Sequence, residues 1–199
     1  DGHADYTSFP ILVNVENHEE TCITSGDVTN DGIINVVDIV AVVGAITGVS
    51  EVTDDLLCVA DMNADGFINV VDVVAIVNLI INNVARLEDA TNATITLVGD
   101  MLSVEGNGFI QGAQFTLTHD NSININLVNE YIADFKTIGN TTTIVIATDG
   151  LSSLTDIATI IGDYKITESI IVNSSIEIQT DQIIEISAFE LKAAYPNPF

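Results

Sequence analysis

Basic residues are almost missing from this chain: 4 Lys+Arg stand against 29 Asp+Glu in 199 residues, a formal net charge of −25. That shortage excludes nucleic acid as a partner, because neutralising phosphates takes clusters of Lys and Arg. It equally disfavours anionic membrane surfaces. Tryptophan is absent, and the 4 Tyr and 7 Phe form no aromatic platform of the kind that lines a sugar groove. Long hydrophobic runs are missing too. Residues 36–49 come nearest, but Asp38 and two glycines break them, short of the roughly 18 apolar residues a membrane helix needs. Two cysteines, Cys22 and Cys58, fit neither a zinc site nor a CxxC redox pair. They are either buried thiols or one disulfide. No basic segment precedes an apolar one at the start, so Asp1 reads as a mature N-terminus or the edge of an excised piece.

What the chain does have is apolar side chains: 47% of residues are hydrophobic and the mean hydropathy is +0.42. Disorder needs low hydrophobicity beside high net charge, so this chain folds. With 17% charged residues, nearly all of one sign, the fold must tolerate self-repulsion or bind cations that relieve it. Metal is the first chemistry to look for.

An internal repeat supplies it. The segment DVTNDGIINVVD at 27–38 recurs 34 residues later as DMNADGFINVVD at 61–72, with eight of the twelve positions identical. Side-chain oxygens fall at positions 1, 3, 5, 9 and 12: Asp27, Thr29, Asp31, Asn35 and Asp38, then Asp61, Asn63, Asp65, Asn69 and Asp72. Ile33 and Phe67 at position 7 offer backbone carbonyls. Such a donor set suits a hard cation that takes six to eight oxygens. Gly32 and Gly66 stand at position 6, where a sharp turn is needed and a Cβ is expected to clash. Ile34 and Ile68 at position 8 are expected to pack inward. Asp38 and Asp72 fall in the first turn of a following helix, where an anion complements the helix dipole. Asx-rich surface turns are the competing reading, but two matches with one spacing favour calcium.

On these residues the segment 25–84 resembles a type I dockerin, the duplicated calcium-loop module of cellulosomes and other bacterial extracellular assemblies. The resemblance implies two Ca2+ ions, held by the residues just named, and one helix after each loop, at 36–47 and 70–82. Thr29 departs from the usual Asn or Asp at position 3, so the first site is expected to bind less tightly. A second departure concerns partners. Dockerins choose a cohesin through polar residues at positions 10 and 11 and basic residues further along, whereas here these positions hold Val36, Val37, Val70 and Val71. Val43 and Val77 follow, and no Lys or Arg occurs between Cys22 and Val84. Helices apolar on every face are expected to be buried on every face. These six valines therefore become candidate partner-binding residues, covered by the rest of this chain or by another subunit.

From residue 91 onward, short alternating runs separated by Gly, Asn and Asp replace helical periodicity. Candidate strands are 94–98, 101–105, 114–118, 123–127, 131–135, 142–148, 157–161, 166–172, 176–179 and 183–187. Gly99-Asp100 and Asp149-Gly150 mark turns. Nine or ten short strands without helices read as an antiparallel β-sandwich. Residues 108–120 resemble the early strands of a cohesin-like or related jelly-roll sandwich, a resemblance that implies fold alone. The fold class is thus α+β: a small all-α, dockerin-like double F-hand module plus a cohesin-like or jelly-roll sandwich. The expected organisation is an N-terminal segment at 1–21 with a lone strand at about 8–15, the module at 22–86, the sandwich at 90–188 and a tail at 189–199. That tail, FELKAAYPNPF, resembles the opening of the C-terminal sorting domain of the type IX secretion system, which implies export to the cell surface or medium.

No nucleophile elbow, phosphate-binding loop or HExxH motif occurs, and His3, His18 and His119 are scattered. Catalysis is not expected. The leading expectation is a secreted, calcium-binding structural or assembly protein whose module packs on a sandwich in the same or a neighbouring chain, with filaments as one outcome. The alternatives are an adaptor whose dockerin recruits a separate cohesin-bearing scaffold or enzyme, and a carbohydrate-binding module.

Overall fold

A computed structural model describes residues 23–81, 88–128 and 131–186. The lone strand expected near 8–15, Cys22 and the tail at 189–199 lie outside them. Among the described residues three helices come first: α1 (Val36–Ile46), α2 (Asp54–Ala60) and α3 (Val70–Ile80). Asn35 and Asn69 cap α1 and α3, each within a reciprocal capping box completed by Asp38 or Asp72. The short α2 was not foreseen. Its signal was Thr53, whose hydroxyl oxygen accepts from the Leu56 N–H, followed by Asp54 and Asp55 in the first turn.

Nine strands follow: β1 (Asn92–Val98), β2 (Met101–Gly106), β3 (Gly112–Thr118), β4 (Asn124–Leu127), β5 (Ile132–Ile138), β6 (Thr141–Ala147), β7 (Asp156–Ile161), β8 (Lys165–Val172) and β9 (Gln179–Ile186). They form two sheets, ordered β4-β7-β2-β1-β9 and β5-β6-β3-β8. The expected Gly99-Asp100 turn closes the β1–β2 hairpin, with Val98 opposite Met101 and Gly99 at φ +61°. Two expectations need correction. The strand expected at 176–179 does not form, Glu177 making only an isolated bridge to Val172, while Gln179 instead opens β9. Strand β9 lies parallel to β1, from Asn92 opposite Gln179 to Val98 opposite Ile186. The chain leaves β8 and crosses to the other sheet before β9 begins, so it reaches β1 travelling in the same direction. The sandwich is antiparallel except for this pair.

Two apolar cores result. Ile95, Leu102, Phe115, Ile144, Ile146 and Ile157 fill the space between the sheets. The second core joins the helices to the outer face of β6, β3 and β8: Ile39, Val42, Val73 and Ile76 cluster with Val145, Ala147 and Val172. Strand β6 therefore buries both faces, Ile144 and Ile146 inward and Val145 and Ala147 beneath the helices. Its unbroken apolar end is the pattern of a strand covered on two sides.

Helix α3 is the element seated on that sheet. A Cβ on Gly112 would stand 2.9 Å from Val74 Cγ2 and 3.0 Å from Val70 Cγ2, so only glycine lets the helix approach this closely. The Val70 N–H, in the first turn, donates to Gln114 Oε1 at 3.2 Å. Further along, Asn78 Nδ2 donates to the Ser174 carbonyl at 2.6 Å, and Gln111 Nε2 donates to Asn78 Oδ1 at 2.9 Å. At the far end of α1, Lys136 Nζ donates to the Gly48 carbonyl at 2.7 Å.

Candidate calcium loops and docking face

Each loop folds around its first aspartate. Asp27 Oδ1 and Oδ2 accept from the N–H groups of Asp31 and Gly32 at 3.1 and 2.8 Å. Asp61 repeats this with Asp65 and Gly66 at 3.2 and 2.8 Å. Asp31 and Asp65 each accept from the N–H two residues on, at 2.8 and 2.9 Å. Position 4 is left-handed in both loops, with Asn30 at φ +56° and Ala64 at +58°. Gly32 and Gly66 have φ of +85° and +88°, yet nothing lies within 4 Å of a Cβ built on either. The expected clash is absent, and the glycines are required by backbone conformation alone.

The loops close onto the helices through positions 9 and 12. Asn35 Oδ1 accepts from the Val37 N–H at 2.8 Å, and Asn69 Oδ1 from the Val71 N–H at 2.7 Å. Asp38 and Asp72 are fully buried. Asp38 Oδ2 accepts from the Asn35 N–H, while its Oδ1 accepts from both the N–H and the hydroxyl of Thr29, each at 2.9 Å. Asp72 accepts from the N–H groups of Met62 and Asn69. Position 3 separates the repeats: where Thr29 donates to Asp38, Asn63 Nδ2 turns to Asp65 Oδ2 at 2.8 Å.

The two closing carboxyls consequently titrate in opposite directions. Burial pushes Asp38 up, but hydrogen bonds from Asn35, Thr29 and Val28 outweigh it and hold the group below the ordinary carboxylate value. Burial also pushes Asp72 up and there prevails over its hydrogen bonds, with repulsion from Asp61 adding to the rise. Asp61 is itself buried.

Among the described residues no three His, Cys, Asp or Glu side chains stand together as a metal cage of their own. A cation in either loop must therefore also draw on the Thr, Asn and backbone oxygens. The chemistry of the set fits a hard divalent ion. Its oxygens are carboxylate, amide, hydroxyl and carbonyl, and the Asp27 and Asp61 carboxylates, each accepting one N–H per oxygen, keep lone pairs for a metal. Asp38 Oδ1, by contrast, already accepts two bonds and leaves Oδ2 as that side chain's ligating oxygen.

The six candidate valines do not share one fate. Val43, Val70, Val71 and Val77 are buried within this chain, whereas Val36 and Val37 are each 54% exposed. Val40 is exposed as well, so α1 is not covered on every face as expected. Ile34 is exposed, contrary to the inward packing expected of it, while Ile68 packs against the helical core. Sequence reasoning also missed Gly112, Gln114, Asn78 and Gln111. Their only signal was the unbroken apolar runs of β6 and β8, which announce a second covered face. Cys58 is disulfide-bonded. His119 is buried, with Nδ1 2.7 Å from the Asn121 carbonyl and Nε2 2.9 Å from Thr142 Oγ1, tying the turn after β3 to strand β6.

With this geometry in hand, residues 25–81 match the model of the type I dockerin domain. Dockerins of this type are calcium-binding, non-catalytic interaction modules, and the matched span includes both loops and all three helices. The second finding concerns about half of the chain. A non-cellulosomal cohesin from the hyperthermophilic archaeon Archaeoglobus fulgidus is 12% identical, over 52% of this chain and 90% of its own, with a TM-score of 0.33. No curated protein matches the chain. Among the described residues no helix is long and apolar enough to cross a membrane.

Proposed function

We propose that this protein is a secreted, non-catalytic assembly component in which two Ca2+ ions order the 23–81 module and α3 holds that module on the sandwich of its own chain. The observation that carries the calcium reading is the second loop. Two buried carboxylates, Asp61 and Asp72, repel each other in a segment that has no Lys or Arg between Cys22 and Val84. A divalent ion relieves that repulsion and satisfies the remaining lone pairs. Asp27, Thr29, Asp31, Asn35, Asp38 and the Ile33 carbonyl would hold the first ion. Asp61, Asn63, Asp65, Asn69, Asp72 and the Phe67 carbonyl would hold the second.

Calcium binds the folded loops alone, so each filled site stabilises the fold by about 2.7 kcal/mol at 100-fold excess of free ion over Kd. Titration calorimetry should return two ions per chain, and chelation should lower the melting temperature of the helical signal. A chain that takes up no heat and melts identically in EDTA overturns this reading.

Head-to-tail filaments are the weaker outcome. The β5-β6-β3-β8 face carries α3 of its own chain, so the same contact in trans would first have to displace it. The adaptor reading gains from the exposed valines of α1, which leave the module a face for a separate protein.

A further inference from the structure

One end of the sandwich holds a cavity that neither the calcium loops nor the α3 contact uses. Gly112 opens β3 beneath α3, and Thr118 ends that strand about 20 Å further along. There the turns after β3, β5 and β7 surround a cavity of about 410 Å3, whose lining includes Thr118, Asp120, Asn140, Thr141, Asp163 and Lys165. Its size lies within the range of small-molecule sites. The walls are fixed from beneath by His119. The His119 N–H donates to the Asn140 carbonyl at 3.0 Å, joining the first two turns. Its ring reaches Thr142, whose Oγ1 lies 2.7 Å from Thr137 Oγ1. Gly162, at φ +129°, brings the third turn so close to Ile123 that a Cβ would stand 2.9 Å from Ile123 Cγ2. A rim locked in this way gives up little freedom when a ligand arrives. Its polar groups, however, are uncommitted. Among the described residues no hydrogen bond or ion pair occupies the side chains of Thr118, Asp120, Asn140, Thr141, Asp163 or Lys165.

We infer that this cavity is a saccharide site, which takes a neutral sugar through hydrogen bonds rather than by stacking. Charge decides against the other ligand classes. Lys165, one of 4 Lys+Arg in the chain, stands in the cavity and repels a metal ion. Asp120 and Asp163, in a chain of net charge −25, repel an anion. A neutral sugar meets neither objection, and each of its hydroxyls both donates and accepts. Asp120 and Asp163 accept from those hydroxyls and Lys165 donates to them, while the Thr118 and Thr141 hydroxyls and the Asn140 amide do both. Without an aromatic platform the site holds a short saccharide, not a long glycan laid along a groove. The inference goes beyond the assembly reading and does not depend on it, since no residue of the helical module lines the cavity.

The test titrates the full chain, in saturating calcium, with glucose, galactose, mannose, N-acetylglucosamine, cellobiose and maltose, and reads amide shifts by two-dimensional NMR. Glucuronic acid and alanine serve as charged comparators. At least one neutral sugar should give saturable shifts centred on Thr118–Asp120, Asn140–Thr141 and Asp163–Lys165. The D120A/D163A variant should weaken that sugar at least tenfold, and K165A should weaken it too. All three side chains are exposed, so neither variant should move the melting temperature. The inference is overturned if none of the six sugars gives a saturable shift, or if the shifts lie elsewhere on the chain. It is equally overturned by tighter binding of glucuronic acid or alanine than of any sugar, or by an affinity indifferent to D120A/D163A. A response of the same amides to calcium added beyond the loop ions marks a cation site instead, and that result also sinks it.

Discussion

The two halves of the helical module share a loop sequence, a capping box and a helix, yet they are used differently. The second half spends its valine ridge on the sandwich and keeps a closing carboxyl, Asp72, that burial and Asp61 push up. The first half leaves its ridge in water, and the Thr29 hydroxyl helps hold Asp38 down. Near-identical sequence thus reads out as opposite environments, because burial is decided by what lies across from a helix rather than by the helix itself. The lesson is that a duplicated motif specifies local geometry twice but tertiary context only once.

The sharpest way to break this asymmetry is one charge placed on each ridge. V74D buries a carboxylate against Gly112 and should cost about 3 kcal/mol or more in urea unfolding, whereas V40D should stay within about 0.5 kcal/mol. Glycines give the next largest contrast. G112A puts a methyl 2.9 Å from Val74 and should lose about 1–3 kcal/mol, while G44A, in the interior of α1 with ordinary contacts, should gain about 0.5–1 kcal/mol. Below these, N35A and N69A each remove a helix cap. Measured in chelator, each should lose about 1 kcal/mol, and equal losses would show that capping is common to both halves. The smallest effect belongs to T29N, which gives loop one the amide that loop two has. Its calcium affinity should rise a few-fold by calorimetry while loop two is unchanged.

Much of this was legible in the sequence. The repeat located both loops, Asn35 and Asn69 announced the helix starts, and Gly99-Asp100 placed a hairpin, since each depends on residues close together in the chain. Two things were not legible. The local sequences around Val36 and Val70 are alike, and their burial diverges where Gly112, 42 positions beyond Val70, opens the sheet to one helix. The parallel β1–β9 pair likewise depends on where the chain crosses between sheets, which no alternation of side chains records. Even the loop glycines were placed correctly for an incomplete reason, because φ requires them and crowding does not.

The hydrogen bond from the Val70 N–H to Gln114 carries a practical consequence. A module is portable only if its fold travels intact. Residues 23–81 grafted onto a foreign carrier would arrive with a bare helix start and an oily flank where Val70, Val71 and Val74 had been covered. Such a fusion should clump unless that flank is recoated with polar side chains or the native sandwich travels with it.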